Sequence, residues 1–172
     1  LVSDPGSSAP TWWGQNSGLA TYARTNAMGE PQVLWRISQV FRFSAEILNN
    51  KGVEAVALQV PIQGEGQPAA VVVINAHLDS RRGPTQLRQF QQVASVAREA
   101  MSREKAAGRP EPMVFVCGDF NVCALREGAM YRALCMAMQG AAPVVDSVAD
   151  LAQPTHMRIT PRSKREWLRW AL

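Results

Sequence analysis

Two short stretches place polar, chemically capable side chains directly after apolar runs. Val71–Ile74 lead into Asn75, His77, Asp79 and Ser80, and Met113–Cys117 lead into Gly118, Asp119, Phe120 and Asn121. An imidazole can give or take a proton near neutral pH. A carboxylate can hold a divalent cation or steer a nucleophile, and an amide NH2 can donate to a phosphate oxygen without adding charge. Each residue alone has a blander reading: His77 as a hydrogen-bonded structural histidine, Asp79 as a helix or turn cap, Asn121 as a turn residue. The Gly-Asp-Phe-Asn block is more informative, because Asp119 and Asn121 are two residues apart and share one side if the extended chain continues.

The elements that must position these groups follow from periodicity. "SGLATYAR" and "SQVFRFSAEI" read as strands, the second through alternating Val40, Phe41, Phe43 and Ile47. "NNKG" is an Asn/Gly turn, and "VEAVALQV" after it alternates again. "PIQGEGQP" is a second turn before the strand that ends near His77. From Thr85 to about Lys105 the period changes: Leu87, Phe90, Val93, Ala94 and Ala97 form the stripe of an amphipathic helix. A buried strand, Met113–Cys117, follows, with Cys117 as a small buried hydrophobe. A second helix is expected from about Leu125 to Met138, with Met130, Leu134 and Met138 on one face. A strand–helix–strand order gives parallel neighbours, so His77 and Asp119 should share one rim at the C-terminal strand ends. Open α/β sheets place ligands at that rim.

Composition narrows the class. A chain of 172 residues, 47% apolar and 19% charged, suits one globular domain. No apolar run reaches the roughly 18 residues that span a bilayer. The net charge of +4 is carried by one segment: Met157–Leu172 holds five basic residues and one acid, and the body holds 13 of each sign. A neutral body argues against a broad phosphate-tracking surface. Three cysteines without a Cys-x-x-Cys spacing fit neither a disulfide framework nor a zinc site. They point to an intracellular, reducing compartment, organelles included.

"INAHLDSRRGPTQLRQFQQV" followed across one helix by "PMVFVCGDFNV" resembles the endonuclease/exonuclease/phosphatase superfamily, which has the deoxyribonuclease I-like fold. The corresponding pieces are Asn75–Leu78, a helix with Gln86, Leu87 and Gln89, and Gly118–Asn121. "NSGLATYAR" resembles the family's Gly-Leu-Ala segment, and "VVDSVADLAQPTH" a later one. "NKGVEAVAL" resembles the neutral sphingomyelinase-like branch. The resemblance implies an α/β (α+β) fold, a four-layer α/β/β/α sandwich of two mixed sheets, incomplete here at both ends. Residues 1–17 would form an N-terminal loop, 18–159 the central part of the domain, and 160–172 a basic tail with Trp167 and Trp170.

By the same resemblance His77 contacts the scissile phosphate, Asp119 orients the nucleophile and binds Mg2+, and Asn121 donates to phosphate. The implied activity is metal-dependent hydrolysis of a phosphodiester or phosphomonoester by in-line water attack. Two family groups have no counterpart: the metal-binding Glu ahead of "SGLATYAR" and the general-base His of a terminal Ser-Asp-His. Glu30, Glu46 and Glu54 fall in the wrong order, and His156 matches the Pro-Thr-His turn. Loss of members of a cooperating set costs orders of magnitude in rate, so the isolated chain is expected to be inactive or nearly so. The alternative is a catalytically inactive member that serves as a structural or interaction subunit, with partner chains covering the incomplete fold. Membrane or nucleic-acid contact would come through the basic tail alone.

Overall fold

The computed structural model describes Leu19, Thr21 and residues 31–43, 51–61, 69–80, 83–123 and 126–140. The Trp12-Trp13 pair, most of "SGLATYAR", both turns in large part, His156, the basic tail and the domain boundaries lie outside the described residues. Among the described residues, no helix is long and apolar enough to cross a membrane.

Four strands form one mixed sheet in the order β1-β2-β3-β4. They are β1 (Gln32–Val40), β2 (Gly52–Val60), β3 (Ala69–His77) and β4 (Met113–Asp119). β1/β2 and β2/β3 pair antiparallel, and β3/β4 pair parallel. With the helices, this is the α+β class expected, and it supplies one mixed sheet and one helical layer of the expected sandwich. β1 starts and ends six or more residues earlier than the strand expected over "SQVFRFSAEI". "QVLWRISQV" is itself rich in β-formers, and its Ile37 and Trp35 reach the core face opposite Ala55 and Ala57.

Register explains which residues face which way. Ile37, Ala55, Ile74 and Val116 lie in one row on the face that packs against α1 (Pro84–Ala106). Pro84 starts that helix where its missing N–H costs nothing, and Arg103 and Lys105 sit at the negative end of the helix dipole. Phe90, Val93, Ala94 and Ala97 are buried as the stripe demanded, whereas Leu87 is half-buried and Gln86 and Gln89 take its place inside. Phe90 meets Phe120 at a centroid distance of 5.4 Å, joining helix and β4 exit. α2 (Gly128–Gln139) adds Leu134 and Met138 to the same core. Met130 is only half-buried, and Met136 is exposed.

Two buried charges lock the periphery. Glu104 accepts from Trp35 Nε1 at 2.5 Å and from Arg109 at 2.6 and 2.8 Å, tying the end of α1 to β1 and to the segment entering β4. The Arg109 guanidinium, ahead of an opposing effect of burial, holds the Glu104 carboxyl below its usual range. On the opposite sheet face Glu54 pairs with Arg36 at 2.6 Å and accepts from Thr21 at 3.3 Å. That places Glu54 in a structural ion pair.

Candidate functional site: the strand-end rim

The C-terminal ends of β1, β3 and β4 and the start of β2 meet at one edge of the sheet. Val40 pairs with Gly52, Gly52 with His77, and His77 with Asp119, so these positions form a single row. Just beyond it Phe41 N donates to Lys51 O, and Leu78 N donates to Asp119 O, both at 3.0 Å. The expected juxtaposition of His77 and Asp119 is present: Nε2 and Oδ2 are 3.9 Å apart. His77 is one-third exposed and Asp119 two-thirds exposed, so both are open to a ligand from solvent.

Lys51 completes the group. Its ammonium is 2.5 Å from His77 Nε2. An ammonium can only donate, so in this contact Nε2 is the accepting nitrogen. Lys51 is buried, and the residue after it must be small: a Cβ on Gly52 would lie 2.6 Å from Gln39 O. The sequence reading attached no site role to Lys51. The available signal was a lysine fused to a glycine at a strand start, opposite the end of the His77 strand.

Asp119 and Asn121 do not simply continue the strand. Gly118 adopts φ 129° and Asn121 a left-handed φ of 52°. The turn brings Asn121 N to Asp119 Oδ1 at 2.9 Å, leaving Oδ2 on the side of His77. Asn121 Nδ2 donates to Leu78 O at 2.8 Å. The amide expected to face a phosphate therefore ties the β4 exit to the β3 exit, and one of its two N–H groups remains.

Helix α1 holds this frame with glutamines. Gln86 Nε2 donates to Asp79 O at 2.8 Å and Asn121 O at 3.2 Å. Gln89 accepts from Asp79 N at 2.9 Å and donates to Phe43 O at 2.8 Å. Asp79 is buried within this network and does not cap α1, whose N-cap is Gly83. Cys117 is exposed, contrary to the buried position expected, because β4 is an edge strand among the described residues and its outer face carries Met113, Phe115 and Cys117.

Magnesium would need close to six oxygen ligands in near-octahedral array. Among the described residues no group of three or more His, Cys, Asp or Glu could hold a metal ion, and the rim adds an ammonium beside His77. Asp119 Oδ2 is a carboxylate oxygen open to solvent, but the described residues do not by themselves fit a magnesium site.

No family model matches the chain, and no curated protein does. Solved structures do. Sphingomyelinase C from Streptomyces griseocarneus is 21% identical over 64% of this chain and 36% of its own, with a TM-score of 0.44. Beta toxin from Staphylococcus aureus, in a structure with bound magnesium ions, is 17% identical over 64% and 37%, with a TM-score of 0.43. Truncated TDP2 from Caenorhabditis elegans is 21% identical over 56% and 33%, with a TM-score of 0.34. The chain thus spans about a third of the length of these structures.

Proposed function

We propose that the strand-end rim binds a phosphoester and that the chain is a phosphoesterase-type module, hydrolysing its substrate by in-line water attack. The observation that carries this reading is the line Lys51–His77–Asp119, an ammonium, an imidazole and a carboxylate oxygen side by side at the strand-end edge. A phosphoryl oxygen at this edge meets the imidazole of His77, with the positive charge of Lys51 behind the ring, and the two stabilise negative charge as it builds in the transition state. Asp119 Oδ2 accepts from the attacking water and orients it, since Oδ1 is occupied by Asn121 N. Asn121 contributes its remaining amide N–H to phosphate. Any metal would take Asp119 as one ligand and needs the others from beyond the described residues. No step above depends on it.

A second reading, an inactive family member acting as an interaction subunit, is favoured by the outer face of β4. Met113 and Phe115 are exposed there while Val56, on the same sheet face, is fully buried. One experiment separates the two: hydrolysis of bis-p-nitrophenyl phosphate with and without Mg2+, by the chain and by Asp119→Ala. The hydrolase reading expects turnover that falls by about 100-fold in the variant. A folded chain with no turnover above the variant refutes it and leaves the subunit reading standing.

A further inference from the structure

Two fully buried glutamines on the core-facing stripe of α1 call for an explanation. Gln86 is in phase with Phe90, Val93 and Ala97, and Gln89 with Val93 and Val96, yet the two are 0% and 1% exposed. A buried amide is costly unless bonded, and methionine would fill the same space. Gln89 meets that cost at both ends, with Oε1 on Asp79 N and Nε2 on Phe43 O. Gln86 does not: its Nε2 donates twice, to Asp79 O and Asn121 O, while its Oε1 is buried with no partner among the described residues. A side chain that leaves one buried end unpaired is held there for the other end.

What that other end holds is the conformation of Asn121. The residue sits at φ 52°, a left-handed conformation that Asn tolerates but does not prefer. In it the backbone N–H reaches Asp119 Oδ1 at 2.9 Å, and the side chain reaches Leu78 O at 2.8 Å. Gln86 fixes the third polar group, Asn121 O. We infer that Gln86 is a positioning residue for Asp119: it holds the left-handed turn that engages Oδ1 and so leaves Oδ2 turned toward His77. The inference rests on the phosphoesterase reading of the rim for its catalytic consequence, but its geometric content stands apart from turnover.

Gln89 provides a matched control. It is equally buried and makes the same number of bonds to backbone, but none to Asn121. Gln86→Met and Gln89→Met should therefore lower the unfolding midpoint by similar amounts. Gln86→Met should reduce kcat about 10- to 100-fold, the scale of a displaced catalytic group, with KM changed less than about threefold. Gln89→Met should keep kcat within about threefold of wild type. Equal kcat losses in the two variants, or none in Gln86→Met, overturn the inference. If the wild-type chain hydrolyses nothing, the proposed function fails, and the inference is decided by the His77 ring 15N resonances with and without inorganic phosphate. They must shift in Gln86→Met and stay in place in Gln89→Met; an unchanged spectrum in Gln86→Met overturns it.

Discussion

Gly118→Ala tests how closely the site depends on the contact between β3 and β4. Gly118 pairs with Ala76 in the parallel ladder, and a Cβ there would lie 2.0 Å from Ala76 O, with Ala76 N and C at 2.8 and 2.9 Å. All three atoms are backbone, so no side chain can swing aside, and restoring a 3.0 Å contact requires the strands to part by about an ångström. The neighbouring bond from Leu78 N to Asp119 O, now 3.0 Å, breaks over that displacement. Backbone strain at φ 129° adds roughly 1–3 kcal/mol, and each lost buried hydrogen bond roughly 1 kcal/mol. The total is about 2–4 kcal/mol, a large share of the ~5–15 kcal/mol that holds a domain folded. Gly83→Ala supplies the comparison. Its φ is 122°, nearly the same strain, but a Cβ there meets nothing within 4 Å. In urea melts followed by circular dichroism, Gly118→Ala should lose at least about 1 kcal/mol more than Gly83→Ala. Equal losses would mean that the clash is relieved at no cost, and that the close approach of β4 to Ala76 does not hold Asp119 in register with His77.

Lys51→Met keeps the aliphatic stem and removes the ammonium, so phosphodiester turnover should drop by about 100-fold while the fold persists. Near-native turnover in a steady-state assay would remove Lys51 from the site. Acid should act through Glu104. Its folded-state carboxyl is held below the unfolded value, chiefly by Arg109, so its stabilising effect is complete above the ordinary glutamate range near ~4.3 and is lost as pH falls through the depressed folded value. Melting temperatures of wild type and Glu104→Gln should therefore differ most near neutrality and converge in acid; a gap that widens as pH falls would reverse the sign of that argument. Phe90→Ala should cost about 3–5 kcal/mol in a urea melt, because Phe90 is 1% exposed and joins α1 to Phe120.

Periodicity made most of this architecture legible. The stripe Phe90, Val93, Ala94, Ala97 marks α1, and the apolar runs Val71–Ile74 and Met113–Cys117 mark the parallel pair, although the buried position expected for the second run fails because β4 lies at the edge of the described sheet. The rim follows from topology alone: one helix between two neighbouring parallel strands puts His77 and Asp119 at the same edge. β1 was misplaced because Phe41 and Phe43 prolong an alternation that the strand itself abandons after Val40. Phe41 instead turns into the core, and Phe43 has its carbonyl taken by Gln89. Lys51 was illegible as a site residue for a different reason. Its partner is 26 positions away, and antiparallel register, not spacing along the chain, brings them together.

The polar groups of the rim divide into those that hold and those that remain available. Leu78 N and O, Asp79 N and O, and Asn121 N and O are all bonded to one another's loops, to Asp119 or to α1. The backbone there has little left to offer a ligand. What stays accessible is side chain: the imidazole of His77 and the carboxylate of Asp119, with the buried Lys51 ammonium behind the imidazole. A sheet edge whose polar groups served stability alone would have no need to leave the Asp119 side chain two-thirds exposed beside a histidine while spending the buried Gln86 on the turn behind it. Rigid loops with free side chains are what preorganised charge stabilisation requires, because the donors then need no reorganisation when charge develops. The same frame explains why Gln86 and Gly118, neither of which touches a ligand position, are the residues on which the geometry of the rim most depends.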